Sequence, residues 1–127
     1  MRSSSRVTLR EPSYFVLAAL LDGRLHGYAV VKRVEELSDG RVKLAAGSLY
    51  SVIDRLLGEG LVIADGEEIV NGRARRYYRL TDDGQAMLAE EADRLATAAR
   101  VVHDRLPTPT SPRPQTGQRS TWRTLPA

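Results

Sequence analysis

Asn71-Gly72 is the feature that most narrows what this chain can fold into. Both residues tolerate positive φ, which a two-residue hairpin loop demands, and the runs on either side read as strands. Val62-Ile63-Ala64 begins the outgoing strand and Glu68-Ile69-Val70 ends it, and the return strand runs from Arg73 to Leu80. The remaining periodic segments are helical, so the chain is expected to be mainly α with one β-hairpin.

Four helices are predicted. The first starts at Pro12, a residue suited to an early helical position, and ends near Asp22-Gly23. Its stretch from Tyr14 to Leu21 is apolar almost all round, which asks for cover on two sides. One side is met by the chain's own core, and the other suggests a partner chain. The second helix spans about Gly27 to Leu37, with Val30, Val31, Val34 and Leu37 inward and Lys32, Arg33, Glu35 and Glu36 outward. Ser38-Asp39-Gly40 closes it. A third opens at Gly47-Ser48, with Ser48 as candidate cap, and reaches about Leu57. Thr81 or Asp82 caps the last, which extends to about Leu106. There Leu88, Ala92, Leu95, Ala99, Val102 and Leu106 alternate spacings of four and three, the period of a coiled-coil seam.

Three helices followed by a hairpin is the winged helix-turn-helix order. The expected organisation is a basic arm (1–10), a winged domain (11–81), a dimerisation helix (82–106) and a Pro-rich tail without apolar periodicity (107–127). Trp122 in that tail reads as filler.

The net charge of +3 invites a nucleic-acid reading, but its distribution weakens that argument. The two ends hold six of the 19 basic residues and none of the 16 acidic ones, so residues 11–106 carry 13 against 16, a net of −3. A DNA-binding claim must rest on local clusters instead. Cysteine is absent, which excludes disulfides and thiolate-ligated zinc. The longest apolar run, Phe15 to Leu21, falls far short of the roughly 20 residues a membrane span needs. With no signal-peptide pattern read either, a cytoplasmic protein is expected.

Two clusters carry function. The Gly47–Leu57 helix offers Ser48, Tyr50, Ser51 and Arg55 as groove-facing groups, with Arg41 and Lys43 just before it as backbone clamps. A major groove accepts one such helix, presented by its N-terminal residues, and helix N-terminal amides add a phosphate site. The hairpin segment 71–79 contains Arg73, Arg75, Arg76 and Arg79 and no acid. Such a wing suits phosphate neutralisation, and its charge also suits protection of a sheet edge. Glu67 and Glu68 on the opposing strand are placed to pair with some of these arginines. Tyr77 and Tyr78 read as packing residues. The two histidines, His26 and His103, lie far apart, with no metal-ligand pattern around either, and His26 reads as a packing or capping residue. No catalytic set emerges, and neither an enzyme nor a cofactor or metal site is expected.

Leu25-His26-Gly27-Tyr28, Ala46-Gly47-Ser48-Leu49-Tyr50, Arg55-Leu56 with Glu59-Gly60-Leu61-Val62, and Arg75-Arg76-Tyr77-Tyr78-Arg79-Leu80-Thr81 with Gly84 resemble the PadR family of winged-helix regulators over about residues 9–106. The resemblance implies a homodimeric repressor on a palindromic operator in double-stranded DNA. It places Ser48 and Tyr50 on DNA, the wing arginines on backbone or minor groove, and the last helix in the dimer interface. Two features depart from the family pattern: Ser51 stands where many relatives have proline, and the C-terminal domain of several helices found in larger relatives is absent, as in the short subfamily. Phenolic acids, the ligands of the family's namesake, are not implied. Tyr14, Phe15, Leu17 and Ala18, with Leu88, Leu95 and Val102, form either a dry dimer interface or a pocket for a planar hydrophobic effector. The acidic balance of residues 11–106 leaves open an alternative, a winged helix that binds only protein.

Overall fold

The computed structural model describes residues 9–107. The expectations for most of the basic arm and for nearly all of the Pro-rich tail, Trp122 included, lie outside the described residues.

Helix α1 (Glu11–Ala19) has Pro12 in its first turn and Glu11 at its positive end. It ends earlier than the expected Asp22-Gly23. The amides of Leu20 and Leu21 reach back only three residues, to Leu17 and Ala18, so the last turn tightens and unwinds before Gly23. Strand β1 (Leu25–His26) follows and was not expected. Helix α2 (Gly27–Leu37) keeps its predicted bounds, with Val30 and Val34 fully buried, whereas Leu37 is exposed. His26 is its N-cap, and its Nδ1 accepts the Ala29 amide at 3.3 Å. Beyond α2, the Ser38 hydroxyl accepts the Val42 amide at 2.9 Å, and Asp39 and Gly40 take positive φ.

Helix α3 (Ala46–Gly58) starts on Ala45, which gives no side-chain cap. The expectation that Ser48 caps it is corrected, because the Leu49 amide already bonds to the Ala45 carbonyl and Ser48 lies inside the first turn. Strands β2 (Val62–Val70) and β3 (Arg73–Leu80) form the hairpin, with Asn71 at φ 53° and Gly72 at φ 77°. These are the left-handed values a type I′ loop requires. The sheet is antiparallel in the order β1-β3-β2, with Leu25 opposite Tyr78 and His26 opposite Tyr77. On β2, Asp65 and Gly66 together face Tyr77, which makes a β-bulge between Ala64 and Glu67.

Helix α4 (Asp82–His103) is capped by Thr81, whose hydroxyl accepts the Gly84 amide at 2.9 Å and donates to the Gly60 carbonyl at 2.7 Å. The described residues form two compact units, divided between Leu95 and Ala96. The core of the first joins Val16, Leu17 and Leu20 of α1, Val30 and Val34 of α2, and Leu49, Ile53 and Leu56 of α3 to Val62, Tyr78 and Leu88. Apolar area withdrawn from water by this set is the main drive for the unit to fold. In the second unit the end of α4 leaves Val101 and Val102 exposed, and Leu106 after it is exposed as well. No helix of the described residues is long and apolar enough to cross a membrane.

Candidate nucleic-acid interface

Local chemistry sets the two walls of a groove. On α3 the inward stripe of Leu49, Val52, Ile53 and Leu56 fixes which face is left over. The outward face presents Ser48, Tyr50, Ser51, Asp54 and Arg55, all exposed. On β3, alternation puts Arg73 and Arg75 on one face and Arg76 with Tyr78 on the other; Tyr78 is buried, Arg73 and Arg76 are exposed, and Arg75 is half-buried. Between these walls lies a hollow of about 400 Å³. Tyr28 and Tyr50 border it on the helical side, Asn71, Arg73, Arg75 and Arg76 on the wing side.

The arginines of this groove form no close ion pair. Glu68 stands opposite Arg75 and Glu67 opposite Arg76 in the ladder, yet among the described residues no ion pair joins Arg73, Arg75 or Arg76 to a carboxylate. Glu68 instead accepts the Tyr77 hydroxyl at 2.9 Å. The expected pairing of Glu67 and Glu68 with these arginines is therefore not formed. Arg79 is different, since its Nε lies 3.6 Å from the Asp65 carboxylate. Burial pushes the Tyr78 phenol up, and Arg76 beside it acts the other way. His26, also on the groove, is held below the ordinary imidazole value, first by burial and then by Arg75. A neutral imidazole is what the cap needs, because protonated Nδ1 cannot accept the Ala29 amide.

Gly27 makes room for Tyr50. A Cβ at Gly27 would lie 2.8 Å from the Tyr50 hydroxyl and 3.4 Å from a Leu49 methyl. The start of α2 therefore acts as a seat for the aromatic ring of α3, which is how Leu25-His26-Gly27-Tyr28 and Gly47-Ser48-Leu49-Tyr50 come to be joined in space. Tyr28, at 69% exposure with Lys32 near its ring, is a groove residue that sequence reasoning did not single out. Its position right after the helix-opening Gly27 was the available signal.

Other expected site residues fall elsewhere. Arg41 pairs with Glu11 and borders a separate hollow, and Arg55 reaches the Ser13 hydroxyl of α1 at 3.4 Å. Lys43 is exposed before α3. The second hollow, about 350 Å³, brings together Tyr14, Phe15 and Leu95 with Leu9, Glu91 and Arg94. Tyr14 and Phe15 meet edge to face there. Arg94 donates to the Glu91 carboxylate, which holds that buried acid below the usual carboxylate range. Leu17 and Leu88 belong to the chain's own core, Ala18 is half-buried, and Val102 is exposed in the second unit.

Three helices, a short third strand and an arginine-rich wing define a winged helix-turn-helix protein. The PadR-like family of transcriptional regulators matches residues 16–90, and the chain belongs to that family. It is 34% identical over 102 residues to the transcriptional regulator Rv3488 of Mycobacterium tuberculosis, covering 80% of this chain and 89% of that protein. Among solved structures it resembles a PadR family transcriptional regulator from Eggerthella lenta, with a TM-score of 0.60, 29% identity and coverage of 72% of this chain and 78% of that one. The fold also matches Bacillus subtilis PadR in complex with operator DNA, with a TM-score of 0.55 and 21% identity, over 83% of this chain and 55% of that chain.

Proposed function

We propose that this regulator binds a palindromic operator in double-stranded DNA as a homodimer and represses transcription until a small-molecule effector releases it. The observation that carries the reading is the groove shared by Tyr50 of α3 and the unpaired Arg73, Arg75 and Arg76 of the wing. A helix that fits a major groove, set beside cations held in no ion pair, offers base-edge contacts and phosphate neutralisation on one surface. Ser48, Tyr50 and Ser51 read base edges, and Tyr28 and the wing arginines position the backbone. Arg41, Lys43 and Arg55 lie outside this groove and serve at most as flanking phosphate contacts.

Residues 11–81 are the DNA-binding domain in this reading, and residues 82–106 pair the two chains. Leu95, Val102 and Leu106, each more than two-fifths exposed in the single chain, supply the apolar seam. The hollow at Tyr14, Phe15 and Leu95 is the candidate place for a planar hydrophobic effector.

Footprinting of the purified protein on the DNA upstream of its own coding region tests this. A protected site with two-fold symmetry is the expected result, since half-sites mirror the symmetry of the dimer. Absence of any protected duplex would favour the second reading, a protein-binding winged helix, which the net −3 of residues 11–106 supports.

A further inference from the structure

The wing does not project from the helical body unaided. At its root the Asp65-Gly66 bulge takes Asp65 out of the β2–β3 ladder. One side chain from outside the hairpin enters there. Arg24 donates from a guanidinium nitrogen to the Asp65 carbonyl at 2.7 Å, and its guanidinium carbon lies 4.3 Å from the centre of the Tyr77 ring. Gly66 makes this possible twice over. Its φ of 97° suits glycine, and a Cβ there would come within 2.7 Å of the Arg24 guanidinium. Tyr77 in turn packs edge to face on His26, with ring centres 5.6 Å apart, and its hydroxyl donates to Glu68. A continuous run of contacts thus links the α2 cap, through Tyr77 and Arg24, to the bulge at which the wing bends.

We propose that Arg24 is a positioning residue that sets the tilt of the wing, and so the reach of Arg73, Arg75 and Arg76 toward DNA. This rests on the DNA-binding reading above. Bulges bend a strand and increase its local twist, so whatever fixes the bulge fixes the direction of the strand ends beyond it. Those ends carry Arg73, Arg75 and Arg76. Arg24 acts through them: one of its nitrogens is engaged by the Asp65 carbonyl and its planar face by Tyr77. Lysine cannot replace it, because a point charge on a flexible stem lacks the planar fork that stacks and donates at once.

The test measures binding of a labelled random-sequence duplex at low salt, a probe that reports the sequence-independent affinity a wing supplies. Arg24→Ala and Arg24→Lys are each combined with a wing triple variant, Arg73→Ala, Arg75→Ala and Arg76→Ala. Circular dichroism checks that each variant is folded. Both Arg24 variants are expected to weaken duplex binding about threefold to tenfold, a range typical of coupled contacts. Neither is expected to weaken it further once the wing arginines are gone. Additivity with the triple variant, or full rescue by lysine, would make Arg24 a direct phosphate contact and overturn the proposal. Unchanged binding by Arg24→Lys would overturn it too, and this conservative variant serves if Arg24→Ala does not fold. If the triple variant alone binds like the parent, the DNA-binding reading of the wing fails instead, and the proposal with it.

Discussion

Gly84→Ala should destabilise this protein although it places a better helix former in a helix. Helix propensity taken alone favours alanine by up to about 1 kcal/mol. Tertiary contact reverses the sign. An added Cβ would lie 2.1 Å from the Leu61 carbonyl oxygen, 3.0 Å from its carbon and 2.9 Å from a Leu80 methyl. Carbon–oxygen contacts normally settle at about 3.3 Å or more, so α4 must withdraw by about 1 Å from the segment that follows α3. The same carbonyl accepts the Thr81 amide at 3.1 Å, and Thr81 holds the Gly60 carbonyl, so the withdrawal strains two further bonds. Overpacking costs about 1–3 kcal/mol and a weakened hydrogen bond about 1 kcal/mol more. Against the propensity gain, the net loss is about 1–3 kcal/mol, which at 4–8 °C per kcal/mol lowers Tm by about 5–20 °C in a domain of this size. Thermal unfolding followed by circular dichroism reads this directly. Gly58→Ala is the control: it lies in α3 with nothing within 4 Å of an added Cβ, and should be neutral or slightly stabilising. A Gly84→Ala protein as stable as its parent would show that close packing on Leu61 does not govern this helix start.

Four further outcomes follow from the same geometry. Replacing Arg73 or Arg76 by alanine should lower the slope of log affinity against log salt by about 0.9 for each phosphate left without its cation, measured by fluorescence anisotropy on duplex DNA. Gly27→Ala should leave the fold intact but displace the Tyr50 ring, so discrimination between operator and random duplex should fall while salt dependence stays the same. Leu95→Glu should shift the protein toward monomer in sedimentation, and a variant that remains as dimeric as its parent would exclude Leu95 from the interface. His26 gives a pH dependence of known sign. Its folded form resists protonation, whereas in the unfolded chain it takes up a proton near pH 6.5. Below that point the unfolded state binds more protons, so stability present above it is lost as pH falls through the lower folded value. His26→Asn keeps a capping side chain without a titrating group and should flatten that part of the profile in urea unfolding.

The parts legible in the sequence were those written in short range. The hairpin bounds followed from Asn71-Gly72 and strand alternation, and α2 from one stripe of valines, because these signals lie within a few residues of what they specify. The arginine-rich wing was visible for the same reason. Less local features were missed or misplaced. Strand β1 has only Leu25 and His26 and exists because β3 offers them Tyr78 and Tyr77, so no pattern of its own announces it. Ser48 looked like a cap by residue type, yet α3 starts earlier because its backbone bonds begin at Ala45. Arg41 precedes α3 and Arg55 lies within it, but the fold directs their side chains to Glu11 and Ser13 of α1.

The sequence by itself determined the order of the helices and the hairpin, the turn that closes that hairpin and the residue types on each face, since backbone conformational preference and periodic burial are local. Only the tertiary structure decided which of those residues share a surface. It placed Tyr50 in the space Gly27 leaves open, across a groove from Arg73, Arg75 and Arg76. It also seated Arg24 on a bulge far along the chain, and set Gly84 against a carbonyl no side chain could approach. Those outcomes depend on distances between segments remote in sequence, which close packing of the shared core fixes and no local propensity encodes.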